Sequence, residues 1–262
     1  MKLDLYQVDA FTDKIFGGNP ACVVPLSSWL PDELLLQIAR ENAVAETAFF
    51  TNEDDKIHLR WFTPEIEMDL CGHATLATAH CLKEMLNYKA DEIIFHTLSG
   101  DLIVSVEEGL YKMNFPSRMP SKAVLPENIL DSLSIKPEEV YKARDYVLVY
   151  KSESDIRNLN INRMRFDELN LGSGGVIVTA IGDDCDFVSR FFTPQASILE
   201  DPVTGSAHCS LIPFWAKRLN KSVFHAHQVS ERMGTLYCED LGDRVIIAGK
   251  ARTYSAGHIW ID

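Results

Sequence analysis

The sequence predicts an α+β chain made of two copies of one unit, each a set of short strands wrapped round a single buried helix. Three observations carry that expectation. Phe62-Thr63-Pro64 returns as Phe192-Thr193-Pro194, 130 positions later in a chain of 262 residues. A single long-period repeat of this kind indicates one internal duplication rather than a many-membered array. Each tripeptide is followed by a glycine turn, Cys71-Gly72-His73 in one copy and Thr204-Gly205-Ser206 in the other. Each turn then opens a stretch that is apolar on nearly every side, the pattern of a helix surrounded by protein.

Taken in order, Leu3 to Ala10 alternates as a strand, and Gly17-Gly18-Asn19-Pro20 turns the chain into a second strand, Ala21 to Pro25. Ser28 is placed to cap a helix from Pro31 to Glu41, whose Leu34, Leu35, Ile38 and Ala39 share a face. Strands are expected at Thr47 to Thr51 and Ile57 to Phe62, and the buried helix at Gly72 to Leu86. Further strands follow at Glu92 to His96, Leu102 to Glu107 and Leu110 to Phe115. Pro116 to Pro120 breaks both periodicities, so the halves are expected at residues 1–117 and 118–262. In the second half, strands are expected at Tyr146 to Tyr150, Gly175 to Ala180 and Asp186 to Phe192. The helix Ser206 to Leu219, bent by Pro213, comes next, before strands at Thr235 to Cys238, Arg244 to Lys250 and His258 to Ile261. Gly172-Ser173-Gly174-Gly175 precedes a strand instead of opening a helix, so it is a turn and not a nucleotide loop.

Composition narrows the function. With 38 acidic against 25 basic side chains, the net charge of −13 would repel a phosphate backbone, and no basic run offsets it, so nucleic acid is set aside as a partner. The opening Met-Lys-Leu-Asp-Leu lacks the order of a secretion signal, and no apolar stretch reaches membrane-spanning length; a soluble, cytoplasmic protein with no membrane partner is expected. Six cysteines lie scattered with no Cys-x-x-Cys pair, so reduced thiols are expected.

The glycine turns focus the chemistry. A helix N-terminus presents backbone N–H groups and the positive end of the macrodipole, which favours an anion. Were the two copies to face one cleft, two such ends would suit a small carboxylic acid. Glu46, flanked by small and apolar residues from Asn42 to Phe50, is placed for partial burial, which suits a carboxylate that moves protons near neutrality. Asp201 precedes Pro202 and is biased towards extended backbone, ahead of a turn that is either a cap alone or a ligand-holding helix start. His73, at the other helix start, is expected as a neutral ring that polarises an oxygen or relays a proton, or else as a turn histidine. His208 and Cys209 fall inside the second helix and are expected to pack. Zinc is set aside, because Cys71, His73, His80, Cys81, His208 and Cys209 show no finger or zincin spacing. A two-thiol racemase fails on register, since aligning Gly72 with Gly205 puts Thr204 opposite Cys71.

Asn19-Pro20, Glu46-Thr47 before a phenylalanine pair, Asp69 to Thr75, Gly175 to Ala180 and Asp201 to His208 occur together and in order. In this combination the chain resembles the PhzF-like (phenazine biosynthesis-like) family. The resemblance implies a diaminopimelate-epimerase-like fold: two pseudo-symmetric domains, each a barrel-like sheet round a central helix, with the active site between them. It further implies a homodimeric isomerase that needs neither metal nor cofactor and shifts a hydrogen with one glutamate. Glu46 matches that glutamate, His73 and Asp201 its polar companions, and Asn19, Gly72, Gly205 and Ser206 the substrate-binding positions. A glutamate-based isomerase of a small carboxylate is therefore the expected activity. A catalytically silent binder and a thiol epimerase working through Cys71 are the alternatives.

Overall fold

The computed structural model describes every residue except Asp55 and Ser173, so the middle of the Gly172 to Gly175 turn lies outside the described residues. The elements run in order β1 (Lys2–Ala10), β2 (Asn19–Leu26), α1 (Asp32–Asn42), β3 (Glu46–Glu53), β4 (Lys56–Phe62), β5 (Glu67–Met68), α2 (Gly72–His80), β6 (Glu92–Thr97), β7 (Gly100–Glu107) and β8 (Leu110–Pro116). Then follow β9 (Ser121–Lys122), α3 (Glu127–Ser132), β10 (Glu139–Lys142), β11 (Tyr146–Val149), α4 (Glu153–Asn158), α5 (Arg163–Phe166), β12 (Val176–Ile181), β13 (Phe187–Phe192), β14 (Glu200–Asp201), α6 (Gly205–Leu219), β15 (Val223–Gln228), β16 (Gly234–Asp240), β17 (Arg244–Gly249) and β18 (Ala251–Trp260). They form two compact units, residues 1–114 with 248–262 and residues 115–247. The expected division placed 248–262 in the second half. The structure groups them with the first, because β18 pairs antiparallel with β1 from Lys2↔Trp260 to Ala10↔Ala251.

In the first unit β2 runs parallel to β3, β3 antiparallel to β4, β4 parallel to β6 and β6 antiparallel to β7. On one side of this sheet α2 packs against β1, β2, β3 and β18. Every residue from His73 to His80 is buried, as its all-round apolarity requires. Several of its polar side chains find partners within the unit. Thr75 and Thr78 donate to the carbonyls of Cys71 and Ala74 at 2.6 and 2.7 Å, and His80 lies 3.0 Å from both Tyr111 Oη and Thr253 Oγ1. The expected α-helix to Leu86 widens into a π turn at Cys81–Met85. Helix α1 covers another part of the core through Leu35, Ile38 and Ala39 against Val24, Phe49 and Phe62. Its N-cap is Pro31 and no side chain caps it, so Ser28 does not have the expected role.

The second unit repeats this order. β11 is parallel to β12, β12 antiparallel to β13, β13 parallel to β15 and β15 antiparallel to β16. Ile156 of α4 and Phe166 of α5 pack with Leu148, Val178 and Phe192 where α1 sits in the first unit. Helix α6 continues from Gly205 to Leu219 through Pro213. Proline cannot donate to the carbonyl four residues back; that carbonyl, Cys209 O, instead accepts the Arg118 N–H at 2.9 Å.

Candidate active site

In the first unit the site is built from the starts of β3 and α2. Glu46 opens β3, facing Ala21 of β2. Cys71 is the N-cap of α2 with extended backbone (φ −141°, ψ 107°), and no side chain caps the helix. Residues 71 and 73 thereby flank a glycine at a helix start, where the first-turn N–H groups point outward. His73 Nε2 lies 3.0 Å from Glu46 Oε2, with the two side chains only 5% and 15% exposed. Neither atom has a hydrogen-bond partner of good geometry, although both are buried. On the other side of the ring, Nδ1 lies 3.2 Å from Asn19 Nδ2 and 3.6 Å from Cys71 Sγ. Asn19, the expected substrate contact, is fully buried with its amide against the His73 ring.

Burial works against a second proton on His73, yet the neighbouring Cys71 and Glu46 on its two sides outweigh it and hold the imidazole well above the usual histidine range. This direction is opposite to the one expected from the helix dipole alone, since a charge at contact distance acts more strongly than the partial charge of a helix end. Burial, then the nearby Glu46, push the Cys71 thiol up, while His73 and the Ala74 N–H act in the opposite direction.

In the second unit Thr204 is the N-cap of α6, again extended (φ −114°, ψ 97°) and again without a side-chain cap. Its hydroxyl is turned away to donate to Asp201 Oδ2. The turn is thus not a capping motif, the plainer of the two expectations. Asp201 lies in the short strand β14, antiparallel to Phe191, as its place before Pro202 favours. Gln228, with no exposed surface, ties the turn together: its Oε1 accepts the Thr204 N–H at 2.8 Å and its Nε2 donates to Asp201 O at 2.7 Å. Ser206 Oγ accepts from Arg144 at 2.9 Å. Arg144 is held by Asp145, a carboxylate 1% exposed that also accepts the Gly175 N–H at 2.8 Å.

Among the expected residues, the structure gathers Asn19, Glu46, Gly72 and His73 in the first unit and Asp201, Gly205 and Ser206 in the second. Sequence reasoning passed over Arg144, Asp145 and Gln228. Arg144 and Asp145 sit before a strand like any polar turn pair, 62 and 61 positions from Ser206, so no local pattern marks them. His208 and Cys209 pack as expected. His208 Nδ1 is 2.9 Å from Thr204 O and the ring is fully buried, which lowers its pKa to about 4. Among the described residues no helix is long and apolar enough to cross a membrane.

Comparison with known proteins agrees with this geometry. Residues 8–257 match the family described as phenazine biosynthesis-like protein. An uncharacterized isomerase of Pseudomonas aeruginosa is 47% identical over 257 residues, covering 98% of each chain. The crystal structure of a PhzF-family protein from Enterococcus faecalis superposes with a TM-score of 0.95 at 44% identity, covering all of both chains. A hydroxyproline epimerase from Agrobacterium vitis, 9% identical, aligns with a TM-score of 0.60 over 98% of this chain and 92% of its own, a likeness of fold. A doubled sheet-and-helix unit, a family match over residues 8–257 and relatives that align with the chain from end to end place it in the phenazine biosynthesis-like (PhzF) family, with an epimerase-like α+β fold and as an isomerase.

Proposed function

We propose that the reaction is a proton shift on carbon in a small carboxylate-bearing metabolite, run without a cofactor and with Glu46 as the base. The observation that supports it most is the facing pair Glu46 Oε2 and His73 Nε2, buried, 3.0 Å apart and lacking well-directed hydrogen bonds. Buried polar atoms in this state are costly unless a ligand completes them. In this proposal the Glu46 carboxylate takes a proton from carbon, and the electron pair left behind spreads onto the substrate's carboxylate or enolate oxygen. Glu46, now an acid, returns the proton to a second carbon and is regenerated. His73 positions Glu46 and donates to the developing oxygen anion. The first-turn N–H groups at Gly72 receive the carboxylate; in the second unit the helix start at Gly205, with Ser206 and Asp201, offers a second end of the same kind for a substrate's polar groups.

The test is Glu46→Gln against a panel of aromatic and amino acids that raise the melting temperature of the wild type. The variant should keep ligand binding and thermal stability and lose about a hundredfold to ten-thousandfold in turnover. Wild-type turnover in the variant would remove Glu46 as the base. A second reading, thiol epimerisation, draws on Cys71 Sγ lying 3.6 Å from His73 Nδ1. It requires Cys71→Ser and iodoacetamide to abolish activity, whereas the glutamate mechanism lets Cys71→Ser turn over. A silent binder would show ligand-induced stabilisation and no turnover in the wild type.

A further inference from the structure

We infer that Glu46, Cys71 and His73 form a capture site for a divalent transition-metal cation of the zinc type, and that such a cation inhibits the isomerase. One carboxylate oxygen, one sulfur and one imidazole nitrogen from these residues lie within 4.8 Å of one another. Cys71 and His73 are buried and Glu46 is mostly so. Two of the atoms concerned, Glu46 Oε2 and His73 Nε2, face each other at 3.0 Å and have no other hydrogen-bond partner, so a cation competes there with that one contact.

The donor set selects the metal. Sulfur, nitrogen and a single carboxylate suit zinc or cobalt, while calcium and magnesium call for a shell of oxygens. Three protein ligands leave a fourth position for water, the open arrangement of a four-coordinate cation. The charges also close: the cation's two positive charges meet the Glu46 carboxylate and the Cys71 thiolate, the Cys71 thiol proton and the second imidazole proton of His73 both leaving to solvent. The buried site ends neutral, which avoids the penalty of an unpaired buried charge. Spacing rules do not find it, because the third ligand comes from a different element, 25 positions before Cys71. Inhibition follows from occupancy, since the oxygen that would lift the substrate proton becomes a metal ligand. The metal site itself stands apart from the proposed reaction, while the inhibition rests on the proposed role of Glu46.

The test titrates the full-length, chelator-stripped protein with cobalt(II) and then zinc(II). One equivalent of cobalt should bind and show a thiolate-to-cobalt charge-transfer band, which zinc then removes. Cys71→Ser should abolish the band and weaken zinc binding by about tenfold to a hundredfold or more, Glu46→Gln should weaken it less, and Cys185→Ser, which alters the cysteine that is not buried, should change nothing. No thiolate band in the wild type, or a band that survives Cys71→Ser, overturns the site. If Cys71→Ser does not fold, the wild type decides: zinc should slow iodoacetamide labelling of Cys71, read by peptide mass mapping, and unslowed labelling overturns the inference. A band with no turnover on any acid keeps the metal site and removes the proton-transfer proposal, and turnover without a band does the reverse.

Discussion

The two units carry the same frame and fill it with different chemistry. In the first, Arg60 holds Glu67 through two hydrogen bonds of 2.6 and 2.7 Å; in the second, Arg190 holds Glu200 through two of 2.7 and 2.8 Å. Both arginines sit two residues before the repeated Phe-Thr-Pro, and both glutamates lie on the two-residue strand that pairs back antiparallel. Cys71 and Thr204 are both extended N-caps before a glycine. Thr47 faces Phe62 as Val176 faces Phe192, so Glu46 and Gly175 occupy the same place in the two frames. The divergence is therefore sharpest at the residue that matters. The first unit puts an acid there, while the second puts a glycine whose N–H bonds to Asp145, the residue that aims Arg144 at Ser206. The arginine–carboxylate clamp is common to both units, while the acid of the proposed reaction has no counterpart in the second.

Substitutions can break this comparison at graded cost. The largest effect is expected at Glu46, where Gln should remove about a hundredfold or more of the turnover with little change in melting temperature. At its counterpart the expectation is reversed. A Cβ at Gly175 would lie 2.4 Å from Phe191 Cζ and 2.8 Å from Phe192 O, so Gly175→Ala should lose about 1–3 kcal/mol of stability in a denaturant titration. The clamps should differ as well. Arg190 additionally donates to Ile156 O and Leu159 O at 2.9 and 2.8 Å, while Arg60 beyond its glutamate reaches the exposed Asp32 and lies over the Trp29 and Phe62 rings. Arg190→Ala should cost about 3 kcal/mol and Arg60→Ala about half of that, because the former also strands two backbone carbonyls; equal losses would show that the clamp alone sets the energy.

A pH measurement addresses the second helix. The His208 pKa is lowered to about 4 by burial, below the unfolded value of 6.5, so the folded state takes up fewer protons as the solution is acidified. The stability linked to this ring is present above pH 6.5 and is lost as pH falls towards 4, a change of about 3 kcal/mol. His208→Leu should flatten the acid limb of a stability–pH curve by about that amount, and an unchanged limb would show that another group sets it. The smallest effect is expected at Ser206. Ser206→Ala leaves the backbone N–H groups of the turn in place and should raise KM several-fold with kcat nearly constant, the signature of lost uniform binding.

The sequence made the repeated features legible and left the long-range ones hidden. Phe-Thr-Pro, the glycine turns and the two buried helices are local patterns, and they were placed within a few residues. The strand Ala251–Trp260 was foreseen only from His258, and its partner β1 lies at the other end of the chain. No periodicity encodes such a pairing. Helices α3, α4 and α5 span six, six and four residues, too short for a 3.6-residue repeat to register. Within the site, Glu46 was visible because an acid amid apolar neighbours is a local anomaly. Arg144 and Gln228 act across 62 and 24 positions, so their roles exist only in the fold. The upward pull on the His73 pKa was hidden for a related reason: the helix start is local, whereas the Glu46 carboxylate that opposes it arrives from β3.

Solvent deuterium incorporation tests the central assignment most directly. The wild type is incubated in D2O with the small carboxylic acids that stabilise it, and carbon-bound deuterium is read by NMR. Label should enter at carbon with the wild type and fall at least about a hundredfold with Glu46→Gln, while Cys71→Ser keeps exchanging. Exchange that persists undiminished in Glu46→Gln would contradict the account.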